Sequence, residues 1–257
     1  MSVSYADVEL ARHRLRVHYV HTSHGEQIIC GLQRIMAVDP TYKVAIGAGY
    51  LPQDTSALCI MDVQGTPSNY WLGGGIAQTR ATLRANPSIN VSAFMWCGEL
   101  QSNKQPDTQG YLDAMASLEA EFPNVTFVYM TANCQPGDYA GVLTQLNNNL
   151  IRAWCMEGNR VLFDFADLDA WHNGGENRYW WAGNEWYWKV PYAPYHLETW
   201  VQQQHPDYAA QQCGHTTYES CELKGAAMWW LLVQVARELP PVSVKPATWG
   251  AIKAEYK

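Results

Sequence analysis

Ser23 closes the stretch Arg16-Val-His-Tyr-Val-His-Thr-Ser-His-Gly25, in which a short extended run ends at a hydroxyl flanked by His21 and His24. A side chain at the C-terminal end of a parallel strand, just before a helix, projects into the crevice where α/β folds bind ligands. The N–H groups of that turn face any oxyanion formed there. The chemistry such a placement serves is nucleophilic attack on a carbonyl. Serine is also an ordinary helix N-cap, so the assignment needs a base within reach and a third group to orient that base. Eight histidines are available. His21 and His24 adjoin Ser23, but side-chain directions diverge where a strand turns into a helix. His215 stands in Cys213-Gly-His-Thr-Thr-Tyr-Glu-Ser-Cys-Glu-Leu-Lys-Gly225, a loop that runs into the last helical segment. In a doubly wound sheet that loop returns over the edge where Ser23 lies.

The elements that must position these residues alternate. Short runs rich in Val, Ile, Phe, Tyr or Met predict strands over 16–22, 57–63, 89–96, 125–131 and 160–168. Between them, helical spacing predicts helices over 26–36, 76–84, 108–121 and 141–157, and a last one over 223–238 that stops at Pro240-Pro241. This alternation implies a flavodoxin-like, doubly wound, five-stranded parallel sheet with helices on both faces, in the order 2-1-3-4-5, its crevice at the end of the first strand. Continuous apolar runs such as Val125-Thr-Phe-Val-Tyr-Met suit strands buried on both sides. The whole chain, 1–257, reads as one domain. Residues 170–212 break the rhythm as an insertion dense in Trp and Tyr, either a packed satellite core or a substrate surface. The tail, 240–257, is similar to junctions that precede C-terminal sorting modules in secreted bacterial proteins.

Composition removes several classes. A net charge of -7 without a basic run argues against nucleic acid and anionic membrane as partners. No stretch approaches the length of a membrane span, and Met1-Ser-Val-Ser-Tyr lacks the regions of a signal peptide, which leaves a cytosolic chain or one whose leader has been removed. Seven cysteines form no C-x-x-C pair, so no metal site is expected from them. Cys97 and Cys134 lie just past neighbouring strands, and Cys213 and Cys221 bracket a short loop. Both pairs read as candidate disulfides, with Cys155 left over, and point to secretion.

Taken together, Ser23-His-Gly, Trp96-Cys-Gly-Glu, Tyr129-Met-Thr, Val161-Leu-Phe-Asp-Phe-Ala-Asp and His215 with Gly225 resemble the SGNH (GDSL-type) hydrolases, in a divergent secreted bacterial branch. The resemblance covers about residues 10–238. It implies an esterase with Ser23 as nucleophile, His215 as base and no cofactor. It places oxyanion donors at the Ser23 N–H, at Gly74 or Gly75 after the second strand, and at a side-chain amide after the third, where this chain offers Gly98-Glu99. An ionised Glu99 cannot donate, which leaves a protonated Glu99, or Gln101, Asn103 or Asn133. Thr22 replaces the usual Asp before the nucleophile, and Gln212 replaces the usual acid before the base. Asp167 is therefore taken as the third triad member, with Asp169 and Asp207 as substitutes. His24, Trp96, Asn133, Trp180, Trp181 and Trp186 are expected to contact substrate, a small-molecule or polysaccharide ester such as an acetylated glycan. Two other readings compete. One is an inactive carbohydrate-binding protein that uses the aromatic insertion; the other is a metal-assisted hydrolase using His21, His24, Glu99, Asp167 and His215.

Overall fold

The computed structural model describes residues 3–65, 74–102, 104–133, 138–169 and 212–239, together with the backbone of 171–172, 176–177, 179–182 and 185–188. Helix α1 (Tyr5–Arg14) opens the chain on a capping box, in which the Asp7 N–H donates to Ser4 Oγ and Asp7 Oδ2 accepts from the Ser4 N–H. There follow β1 (Arg16–His21), α2 (Glu26–Val38), β2 (Val44–Ala48), β3 (Leu58–Gln64), α3 (Gly74–Ala85), β4 (Val91–Phe94), α4 (Gln105–Glu121), β5 (Thr126–Met130), α5 (Asp138–Glu157), β6 (Val161–Phe163) and α6 (Phe165–Asp169). Two short two-stranded ribbons come next, β7 (Trp171–His172) with β8 (Glu176–Asn177) and β9 (Tyr179–Ala182) with β10 (Glu185–Trp188). The last described helix is α7 (Tyr218–Glu238).

The main sheet is parallel, in the order β2-β3-β1-β4-β5-β6. The five expected strands take the expected order, and β2 adds a sixth on the edge. Val44-Ala-Ile-Gly-Ala is short and half built of Ala and Gly, so it carries little β signal of its own. One side of the sheet packs on α1, α2 and α7 through Val17, Tyr19, Ile28, Leu32, Trp229 and Leu232. The other packs on α3, α4 and α5 through Val20, Phe94, Trp96, Tyr111, Leu118 and Ile151. Alternate residues of β1 serve opposite cores, as a strand buried on both faces requires.

The expected strand over 160–168 ends early. Asp164 accepts from Thr131 Oγ1 at 2.8 Å and from the Asp167 N–H at 3.3 Å, so it caps a helix that the apolar run Val161-Leu-Phe-Asp-Phe-Ala conceals. The cysteines also depart from expectation. No two described sulfurs are at bonding distance, and Cys30, Cys59, Cys97, Cys155, Cys213 and Cys221 are thiols. The Cys213–Cys221 disulfide is therefore not formed in this structure. Cys134 and the tail lie outside the described residues. Among the described residues no helix is long and apolar enough to cross a membrane.

Candidate functional site

Every strand of a parallel sheet delivers its following loop to the same edge, and the register shows which residues arrive level with one another. His21, the last residue of β1, pairs with Gln64 of β3, and Val20 pairs with Phe94 of β4. The Met95 N–H then donates to the Val20 carbonyl at 2.9 Å. Cys97 is thereby carried to the turn that holds Thr22, Ser23 and His24. Its Sγ lies 3.3 Å from Ser23 Oγ and 2.7 Å from His24 Nδ1. All three residues are half-buried. Burial pushes the Cys97 thiol up, but the His24 hydrogen bond and charge, with help from the Ser23 hydroxyl, outweigh it and hold the group at about 6.

His215 reaches the same place from the far end of the chain. Cys213 and Thr216 form an isolated antiparallel bridge around Gly214 and His215, with φ of 54° and 69° at the two central residues. Positive φ at both is the pattern of a type I′ turn. At Gly214 there is a second demand for glycine, since a Cβ would stand 2.7 Å from the Ser23 carbonyl oxygen. Gln27 Nε2 donates to the Gly214 carbonyl at 2.6 Å and ties the turn to α2. The His215 ring, on an exposed residue, stacks at a tilt on His24 with ring centroids 4.9 Å apart. Burial and the His24 charge lower the His215 imidazole below its usual range, and Glu26 acts in the opposite direction. His215 is a non-glycine residue in the left-handed region, a conformation that neighbours must enforce. Here Gln27 and the Cys213–Thr216 bridge do so.

The other expected site residues divide. Gly74 and Gly75 open α3, which follows β3 at this edge of the sheet. Asn133 is buried just beyond β5 at the same edge, beside Ala132, whose N–H donates to Asn148 Oδ1 at 2.9 Å. Glu99 Oε2 accepts from the Cys97 N–H at 2.8 Å and so braces the Cys97 backbone. Trp96 is fully buried, packed edge-on against Phe94 and Tyr111, which makes it core rather than a substrate contact. Asp167 is exposed on α6, where burial of its carboxyl and the nearby Asp164 raise it. The charged groups that act on His215 are instead His24 and Glu26, the first residue of α2. Asp169 is committed elsewhere, to Lys224 Nζ at 2.8 Å. Asp207 and Asn103 lie outside the described residues. In the β9–β10 ribbon Trp181 pairs with Trp186, and Trp180 with Tyr187.

His21 has both ring nitrogens occupied, Nε2 by Asp62 Oδ1 and Nδ1 by the Thr22 carbonyl, each at 2.7 Å. It braces the Ser23 turn and is not available as a base or a ligand. Cys97, expected from the sequence as half of a disulfide, is instead a free thiol beside Ser23 and His24. Its signal was positional, because the loop after the third strand neighbours the first in a 2-1-3 order.

No family model matches the sequence, and no curated protein matches it. Among solved structures, the chain is similar to the acetylxylan esterase Axe2 from Geobacillus stearothermophilus at 11% identity, with a TM-score of 0.45, over 84% of this chain and 93% of that one. A mutant of Axe2, described as an acetyl-xylooligosaccharide esterase, aligns at 12% identity with the same TM-score and coverage.

Proposed function

We propose that this chain is a hydrolase that cleaves carboxylic esters by acyl transfer, with Ser23 as nucleophile and His215 as base. The observation that supports this reading is the packing of Gly214 against the Ser23 carbonyl, which sets the turn that carries His215 beside the turn that carries Ser23, with the His215 ring on His24. His215 takes the Ser23 proton as the Ser23 oxygen attacks the ester carbonyl. The Ser23 N–H and a Gly74 or Gly75 N–H receive the oxyanion. Water then releases the acid. Because His215 is held below its usual range, it is neutral and able to accept a proton at neutral pH. Glu26, whose charge raises the His215 imidazole, supports the imidazolium that forms in this reading. Hydrogen bonds of catalytic groups in unliganded sites commonly tighten only when substrate binds, and this reading requires the exposed His215 side chain to turn toward Ser23. The Trp-rich ribbons after β6 suit a carbohydrate ester, since sugar rings stack on aromatic faces.

The Cys97–His24 hydrogen bond favours a second reading, in which the Cys97 thiolate attacks and Ser23 only donates to it. Hydrolysis of p-nitrophenyl acetate by the wild type and by Ser23→Ala, Cys97→Ala and His215→Ala separates the two, together with a fluorophosphonate label located by mass spectrometry. The serine reading expects activity to vanish in Ser23→Ala and His215→Ala, to persist in Cys97→Ala, and the label to sit on Ser23. Loss in Cys97→Ala with an active Ser23→Ala would transfer the role to the thiol. No turnover and no label in the wild type would sink both and leave carbohydrate binding by the aromatic insertion.

A further inference from the structure

Three thiols meet where α2, the Cys213–Thr216 turn and α7 come together. The sulfur atoms of Cys30, Cys213 and Cys221 all lie within 4.8 Å of one another; Cys221 is buried and the other two are half-buried. The backbone imposes this approach. Gly31, next to Cys30, passes so close to α7 that a Cβ there would overlap the Cys221 carbonyl oxygen. The thiols hydrogen-bond one another, and Cys221 Sγ–H also donates to the Cys213 carbonyl at 3.8 Å, but neutral thiols are weak donors and weak acceptors. Hydrogen bonding among the three therefore contributes little to holding them together.

We propose that Cys30, Cys213 and Cys221 bind one thiophilic d10 cation, zinc(II) or copper(I), as a three-thiolate site that fixes the turn carrying His215. Thiolates are soft ligands that select these ions over the hard cations held by carboxylates. Metal–sulfur bonds of about 2.3 Å need sulfur–sulfur separations of roughly 3.8 to 4.0 Å. The sulfurs already lie within 4.8 Å of one another, so contractions of about 1 Å or less reach that spacing. Copper(I) is satisfied by three thiolates, whereas zinc takes a solvent molecule as fourth ligand on the half-buried Cys213 side. On binding, three S–H bonds break, three protons pass to solvent and three metal–sulfur bonds form, with no change of oxidation state. Cys213 stands two residues before His215, so the ion ties the strained turn to α2 and α7 together.

The test is a cadmium(II) titration of the full chain kept under reductant, with cadmium as a d10 ion whose thiolate bonds absorb in the ultraviolet. The expected result is a charge-transfer band that saturates at one ion per chain, release of three protons, displacement by zinc(II) and a raised Tm. Cys30→Ser and, separately, Cys213→Ser abolish the band with an unchanged circular dichroism spectrum, and Cys97→Ser keeps it. The proposal is overturned by the absence of a saturable band in the reduced wild type, by a band that survives Cys30→Ser or disappears in Cys97→Ser, or by a Cys213–Cys221 disulfide in the chain isolated without reductant. These readouts are independent of esterase activity, so this proposal and the proposed function fail separately.

Discussion

At the scale of single residues, the site is a thiol, a hydroxyl and two imidazoles drawn together from three loops. Cys97 is the member with the most altered chemistry, because His24 supplies the hydrogen bond and the charge that offset its burial. A thiol at about 6 is mostly thiolate at pH 7, whereas an ordinary one near 8.5 is mostly protonated. Reactivity follows the thiolate, so the rate of iodoacetamide labelling at Cys97, read by peptide mass spectrometry, is expected to rise with pH through a midpoint near 6. In His24→Gln the midpoint moves up toward the ordinary range. An unmoved midpoint would mean that His24 does not set the thiol. Because Ser23 Oγ sits 3.3 Å from this sulfur, an adduct on Cys97 fills the space beside Ser23. Labelled wild type is thus expected to lose ester hydrolysis, while Cys97→Ser, treated identically, keeps it.

At the scale of elements, two helices decide whether the site exists. α2 begins just after Ser23 and α7 just after His215, so their crossing sets the spacing of these two residues. They cross at Gly31 and Gly225 with backbones in contact, since a Cβ on Gly225 would stand 2.6 Å from the Gly31 carbonyl carbon. Around this point Arg34 of α2 pairs with Glu222 at 2.7 Å and lies over the Tyr218 ring. Gly31→Ala and Gly225→Ala are each expected to cost about 1–3 kcal/mol by forcing the helices apart. Because both act on one crossing, the double variant is expected to cost less than their sum in urea unfolding, and additive costs would argue against a shared contact. Activity is expected to fall further than stability implies, because the helices carry the two turns with them. α7 is anchored a second time by Lys224, fully buried, whose Nζ donates to Asp169 Oδ1 at 2.8 Å and Ser220 Oγ at 2.7 Å above the Phe165 ring. Lys224→Met strands a buried carboxylate and is expected to cost about 3–5 kcal/mol. Lys224→Met with Asp169→Leu is expected to recover most of the lost Tm; if it does not, the loss is one of packing rather than of an unpaired charge.

At the scale of the molecule, the sheet order was legible because strands buried on both faces read as continuous apolar runs and parallel crossovers have few topologies. The approach of the turn that carries His215 to the turn that carries Ser23 followed from that order. What stayed hidden was set by contacts distant in sequence. β2 is defined by pairing with β3, α1 by Val8 and Ala11 docking on the core, and the surroundings of Cys97 and Gly214 by loops that meet only after folding. The central strand also contains a group that links the fold to pH. His18 of β1, 2% exposed, faces Ser92 of β4 with Nδ1 3.0 Å from Oγ, and burial holds its imidazole down at about 4 against a usual 6.5. The folded state keeps His18 neutral over an interval in which the unfolded chain takes up a proton. Stability is therefore fully present above pH 6.5 and lost progressively as pH falls from 6.5 toward 4, by about 3 kcal/mol in all. His215, also lowered, adds in the same direction, whereas the salt-bridged Asp7, held at about 2 by Arg237 and Ser4, titrates below this window. Urea midpoints measured from pH 7.5 to 4 are expected to decline in the wild type and to decline much less steeply in His18→Asn. An equally steep decline in His18→Asn would place the acid sensitivity elsewhere than in the central strand.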